Sequence, residues 1–199
     1  MTALILALTT IFVASPQPLK DCEAGAYAYE NIVEIAANHC KYAKSENIDI
    51  DLLWSLVEIE EKYNVPYHLR GMILAAACME SGYNPLAKGD RKFSKDGKTP
   101  KAIGILQQWP VYEKAYGTVR TNPISAADGW MKHIVSKLEK VKKQCRFRNE
   151  TRIWIGAWVT GIRYPKKGGR CREVPNHLRL LNDWRDKARK LSCEPPIGC

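Results

Sequence analysis

The chain is poor in the features that mark several common protein classes. It has no CxxC pair and no Cys/His cluster at zinc-site spacing, so its seven cysteines point to disulfides rather than to a metal. No cofactor of any kind is expected. Its four histidines, His39, His68, His133 and His177, lie far apart and none has a partner at metal spacing. No uncharged apolar run reaches the roughly 20 residues that a membrane-spanning helix needs. Internal repeats and low-complexity segments are absent, which excludes solenoids and disordered tracts. Strand-like alternation is missing from the first half, and the bulk of the chain reads as helical. No recognised nucleic-acid-binding motif is present, so nucleic acid is not expected as a partner.

What the chain has is a strongly uneven charge. Residues 1–63 hold four Lys/Arg and ten Asp/Glu, whereas residues 64–199 hold 27 and 11. A basic body suits a polyanionic partner. The stretch Lys137 to Arg152 (KLEKVKKQCRFRNETR) could lie as one helix on phosphates, but it reads first as a solvated basic face. Residues 1–15 carry no charged side chain and eleven apolar ones. That length fits the apolar region of a signal peptide, and the alternative is an N-terminal helix that stays in place.

Lys20 to Lys44 reads as one amphipathic helix, and Leu52 to Tyr63 as a second. Residues 20–50 would then form a helical extension before a domain over 51–199. Cys78 lies in an apolar helix and is expected to be a buried, free thiol. The other six cysteines, Cys22, Cys40, Cys145, Cys171, Cys193 and Cys199, suffice for three bridges of open pairing, with Cys22–Cys40 and Cys193–Cys199 as short-loop options.

Pro66 to Met79 (PYHLRGMILAAACM) reads as a helix that starts on Pro66 and is buried on most sides. Glu80 follows, on the same stripe as Leu69, Ile73 and Ala76. Gly82 and Asn84-Pro85 end the helix behind it. Partial burial and the negative helix end would favour the neutral acid at Glu80, as a general acid needs. A Glu turned to solvent at a frayed helix end is the plain alternative.

Two blocks follow, Glu80-Ser81-Gly82-Tyr83-Asn84-Pro85 and Ala102-Ile103-Gly104-Ile105-Leu106-Gln107. Together they resemble the E-S-x-x-x-P and G-A-x-G-L-x-Q motifs of soluble lytic transglycosylases, over about Leu53 to Leu138. The lead-in LVEIEEKYNV, Leu56 to Val65, is similar as well. The resemblance implies a mainly α, lysozyme-like fold. It implies an enzyme that cuts peptidoglycan glycan strands between N-acetylmuramic acid and N-acetylglucosamine with a 1,6-anhydro product. Glu80 would be the single catalytic acid/base. Ser81 would orient it, and Gly104 would let the backbone approach a sugar. Gln107 would bind an N-acetyl or hydroxyl group, and Trp109 would offer a stacking face. The block Ile153 to Gly161 aligns with the family's A-Y-N-x-G, with Trp158 for the usual Tyr and Val159 for Asn. Tyr164 is the candidate to replace the lost hydroxyl.

The setting implied is secreted, periplasmic or virion-borne, with anionic wall polymers as further partners and no stable membrane span. Other readings stay open. A hydrolysing muramidase like goose-type lysozymes would need a water-activating carboxylate, and the insert Lys88 to Pro100 offers Asp90 and Asp96. Asp96-Gly97 reads better as a turn. A non-catalytic wall-binding or virion protein is supported by the altered Trp158-Val159 block.

Overall fold

A computed structural model describes residues 23–159, 171 and 175–193. The described residues are mainly helical, as the sequence predicts. They form α1 (Tyr29–His39), α2 (Ile50–Lys62), α3 (Met72–Ser81), α4 (Pro110–Tyr116), α5 (Pro123–Val135), α6 (Leu138–Cys145), α7 (Glu150–Val159) and α8 (Asn176–Cys193). A two-residue pair of strands, β1 (Lys88–Gly89) and β2 (Ala102–Ile103), runs antiparallel between α3 and α4. The leader at 1–15, Cys22, Tyr164 and Cys199 lie outside the described residues.

The apolar helix α3 is the centre. Every residue from Met72 to Cys78 is buried, because α1, α2 and α8 all pack on it. An apolar side chain on any face is therefore removed from water, each worth about 1.5–3 kcal/mol. The buried residues of α1, α2, α3, α5, α7 and α8 join in one core.

Three boundaries differ from the sequence reading. Among the described residues the expected helix over 20–44 is broken: 23–25 are helical, the chain turns at Ala26 and Tyr27, and α1 begins after an extended Ala28 and ends at His39. The helix expected from Pro66 is split. Pro66 leads into a 3₁₀ turn, Tyr67–Leu69, and α3 starts only after Gly71. Gly71 has φ +87°, and a Cβ there would sit 2.7 Å from Ile32 Cγ2 and 2.9 Å from Leu181 Cδ1. Glycine thus lets α1 and α8 close over the start of α3. Finally, the basic stretch after Lys137 is not one helix: α6 ends at Cys145, and Arg146 is left-handed (φ 54°) before α7 begins.

The start of α3 is held by a residue the sequence did not single out. Glu60 on α2 is fully buried. Its Oε2 accepts from Gly71 N at 2.7 Å and its Oε1 from Ile73 N at 2.6 Å. Tyr29 on α1 donates its hydroxyl to Oε2 at 3.2 Å. The carboxyl thus satisfies backbone donors that a helix start leaves open. Burial pushes Glu60 up to about 7 against the pull of those donors.

Cys78 is not a free thiol. It is bonded to Cys40 at the end of α1, with Cα atoms 5.8 Å apart. This also removes the Cys22–Cys40 option. The apolar setting that suggested an inert thiol is the packing of α3 on α1, which brings the two sulfurs together. Cys145 is bonded to Cys171, and Cys193 is disulfide-bonded as well. These bridges fit an oxidising compartment. Among the described residues no helix is long and apolar enough to cross a membrane.

Candidate active site

Glu80 occupies the last turn of α3, and Gly82 caps the helix. Its side chain is 39% exposed, so the burial there is only partial. It is not frayed, however. His177 in the first turn of α8 places Nε2 3.0 Å from Glu80 Oε1. The sequence treats His177 as isolated because the two residues lie 97 positions apart, and only the packing of α8 on α3 joins them.

His177 is itself fixed from behind. Its ring stacks on Trp158 with centroids 5.8 Å apart and planes 5° from parallel. Trp158 is buried and meets Trp130 of α5 edge-on. Trp158 thus backs the imidazole. His177 Nδ1 is buried with no hydrogen-bond partner. A proton there would be an unsatisfied donor, so the favoured neutral tautomer carries it on Nε2 and donates to Glu80.

A hydroxyl comes from an element the sequence reading passed over. Tyr112 on α4 is buried. Its phenol is pushed up by burial, by its neighbour Tyr116 and by the charge of Glu80, which places it within electrostatic reach of that carboxylate. Tyr112 therefore stays a protonated donor at any working pH. His133 lies against the Tyr112 ring, centroids 5.0 Å apart, and its Nδ1 meets Tyr116 Oη at 2.9 Å. His133 is thus held among aromatic side chains.

The second block folds against the first. Ser81 Oγ lies 2.8 Å from the Ile105 carbonyl and 3.1 Å from that of Ala77. It ties the loop to α3 beside Glu80 rather than touching the carboxylate. Gly104 has φ +83°, and a Cβ would lie 1.8 Å from the Arg120 carbonyl. Its closeness is to protein backbone, not to an open sugar site. Gln107 donates Nε2 to the Gly104 carbonyl at 2.9 Å, so one of its two amide N–H donors is engaged within the loop. Arg120, missed in the sequence, donates to the carbonyls of Lys101 and Gln108 at 3.0 Å each and pairs with Glu113. It stiffens both ends of the loop.

The insert carboxylates are both occupied. Asp90 accepts from Trp109 Nε1 at 2.8 Å, and Phe93 packs beside that indole. Trp109 is half-buried and so anchors the insert. Asp96 accepts from Ser94 Oγ, Lys98 N and Thr99 N at 2.7–2.9 Å, and from Thr99 Oγ1. These donors, Thr99 foremost, hold its carboxyl far below the usual range. Asp96 is a turn residue, as Asp96-Gly97 suggested.

A groove of about 240 Å³ between the end of α3 and the start of α8 is lined by Met79, Asn176, Tyr42, Arg179 and Asp183, and neither Glu80 nor His177 lines it. Among the described residues no group of His, Cys, Asp and Glu could hold a metal ion. Comparison with known protein families, curated proteins and solved structures finds no match.

Proposed function

We propose that the chain is a peptidoglycan-cleaving enzyme with a lysozyme-like helical domain, acting as a lytic transglycosylase with Glu80 as its catalytic acid/base. The observation that carries this reading is the Glu80 carboxyl at the end of a buried helix, held on one oxygen by His177.

The chemistry follows from that grip. With Oε1 held by the His177 N–H, Oε2 is left to carry the acid proton. Glu80 passes this proton to the glycosidic oxygen as the bond from the muramoyl C1 breaks. The new carboxylate charge shortens and strengthens the His177 hydrogen bond. That interaction is stronger in the transition state than in the ground state, which is what lowers a barrier. The C6 hydroxyl of the same sugar then bonds to C1 and returns its proton to Glu80. His177 acts through Glu80 and is a positioning residue.

The anhydro outcome is preferred over hydrolysis on two grounds. A water-activating base must lie within about 3 Å of its water, directly or through one other water. Asp90 and Asp96 are both engaged by other donors. The internal hydroxyl needs no such base beyond Glu80, and tethering is worth effective molarities of about 10⁵ M or more. Mass spectrometry of fragments released from purified sacculi tests the reading, and release of none would remove it.

A further inference from the structure

The basic surface around the C-terminal end of α6 takes no part in the proposed cleavage step, and it gathers six Lys/Arg within residues 138–152, against Glu139 and Glu150. Lys142, Lys143, Arg146 and Arg148 are exposed, and none forms an ion pair with a described residue. Lys142 and Lys143 sit in the last turn of α6, where the helix dipole favours a cation by about 0.3–1 kcal/mol. That explanation does not reach Arg146 and Arg148, which lie beyond the helix.

The scaffold under these cations is rigid. The Cys145–Cys171 bridge pins the end of α6. Phe147 packs towards α7, where Gly156 leaves room for it, and carries the Arg152 guanidinium 5.5 Å from its ring centroid. Asn149 Oδ1 accepts from Arg152 N at 3.0 Å and caps α7. Lys142 and Arg148 flank a depression of about 270 Å³ with Ile153 and Trp154 beneath and Glu139 and Glu150 also on its lining. With six Lys/Arg against two Glu the stretch 138–152 keeps a net positive charge, and a bound anion relieves the repulsion that remains between its cations.

We propose that this face binds a phosphodiester polymer of the polyol-phosphate kind, one that tethers the chain to an anionic cell surface. The disulfides favour this source over nucleic acid, because they belong to compartments where nucleic acid is not the resident polyanion. An eight-residue helix followed by a loop also suits a flexible single chain better than a rigid duplex. The proposal does not depend on cleavage, since the polymer carries no bond that Glu80 would cut.

The test is a titration of the full chain with labelled poly(glycerol phosphate) at about 50 and 200 mM salt. The quadruple variant Lys142→Ser, Lys143→Ser, Arg146→Asn, Arg148→Ser should bind at least tenfold more weakly. Its log affinity against log salt should be shallower by about 3, the loss of four contacts at about 0.7–0.9 each. Asn at position 146 suits the left-handed backbone, and an unchanged melting temperature checks the fold. Glu80→Gln should bind like the wild type. Lys187→Ser with Lys190→Ser, exposed on α8, should also leave binding intact. Equal loss in that control means that net charge, not this face, does the binding, and overturns the site. Undiminished binding by the quadruple variant overturns it too, as does tighter binding of duplex DNA or of anionic lipid vesicles than of the polymer.

Discussion

Glu80 and His177 meet only because two helices pack, and each tests the other's role. Glu80→Gln keeps the shape and the His177 contact but has no proton to give. It should lower sacculus cleavage by about 10²–10⁴-fold or more with the melting temperature unchanged. His177→Ala frees the carboxyl to turn, and misplacement of about 1 Å costs about 10²-fold. His177→Gln, whose amide can still donate, should recover part of that loss in kcat with little change in KM. A purely structural His177 would show no such rescue. Asp90→Asn retains an acceptor for Trp109, and Asp96→Asn retains one for its turn, so neither should slow cleavage more than about threefold (a factor near the scatter of single-site effects). Collapse of activity in either would assign it to water activation. The sequence showed Glu80 and the neighbouring Ser81, because motif spacing is local. It could not show His177 or Tyr112, since neither lies within the motifs and each enters from a different helix.

At the scale of elements, α3 is a helix clamped at both ends of its buried run. Glu60 holds its start, and the Cys40–Cys78 bridge holds it two residues before Glu80. Glu60 is raised from 4.5 to about 7 in the fold, so between those values the folded chain keeps a proton that the unfolded chain has released. Its contribution is therefore fully present below about 4.5 and lost as pH rises through about 7, by about 3 kcal/mol. Denaturant titrations across this window should show that decline in the wild type and a flatter curve in Glu60→Gln. The Glu60→Gln variant should itself be less stable at low pH by about 1–3 kcal/mol, because the new amide NH₂ faces a backbone donor. Parallel curves would mean that Glu60 does not titrate as described. For the bridge, alkylation without reductant should leave Cys40, Cys78, Cys145 and Cys171 unlabelled, and Cys40→Ala with Cys78→Ala should cost about 2–4 kcal/mol. The apolar pattern announced α3 but not its true start. Helical periodicity runs smoothly through Leu69 and Ile73, whereas the break at Gly71 is set by contacts with Ile32 and Leu181 from distant helices.

For the whole molecule, the mainly helical architecture was readable because apolar periodicity and caps act over single turns. Asn122 illustrates the limit: its side chain caps α5 by accepting from Ser125 N, while Ser125 Oγ accepts from Val119 N, contacts that helical periodicity does not reveal. Charge asymmetry was equally plain in the sequence, yet only the structure shows that Lys142, Lys143, Arg146 and Arg148 are exposed and form no ion pair with a described residue. The direct test of the central claim is the identity of the sugar end left by cleavage. Purified sacculi digested with the full chain, and followed by mass spectrometry, should release fragments ending in 1,6-anhydromuramic acid, and Glu80→Gln should release almost none. Fragments ending in reducing muramic acid would contradict the intramolecular route, and undiminished release by Glu80→Gln would take the reaction away from this site.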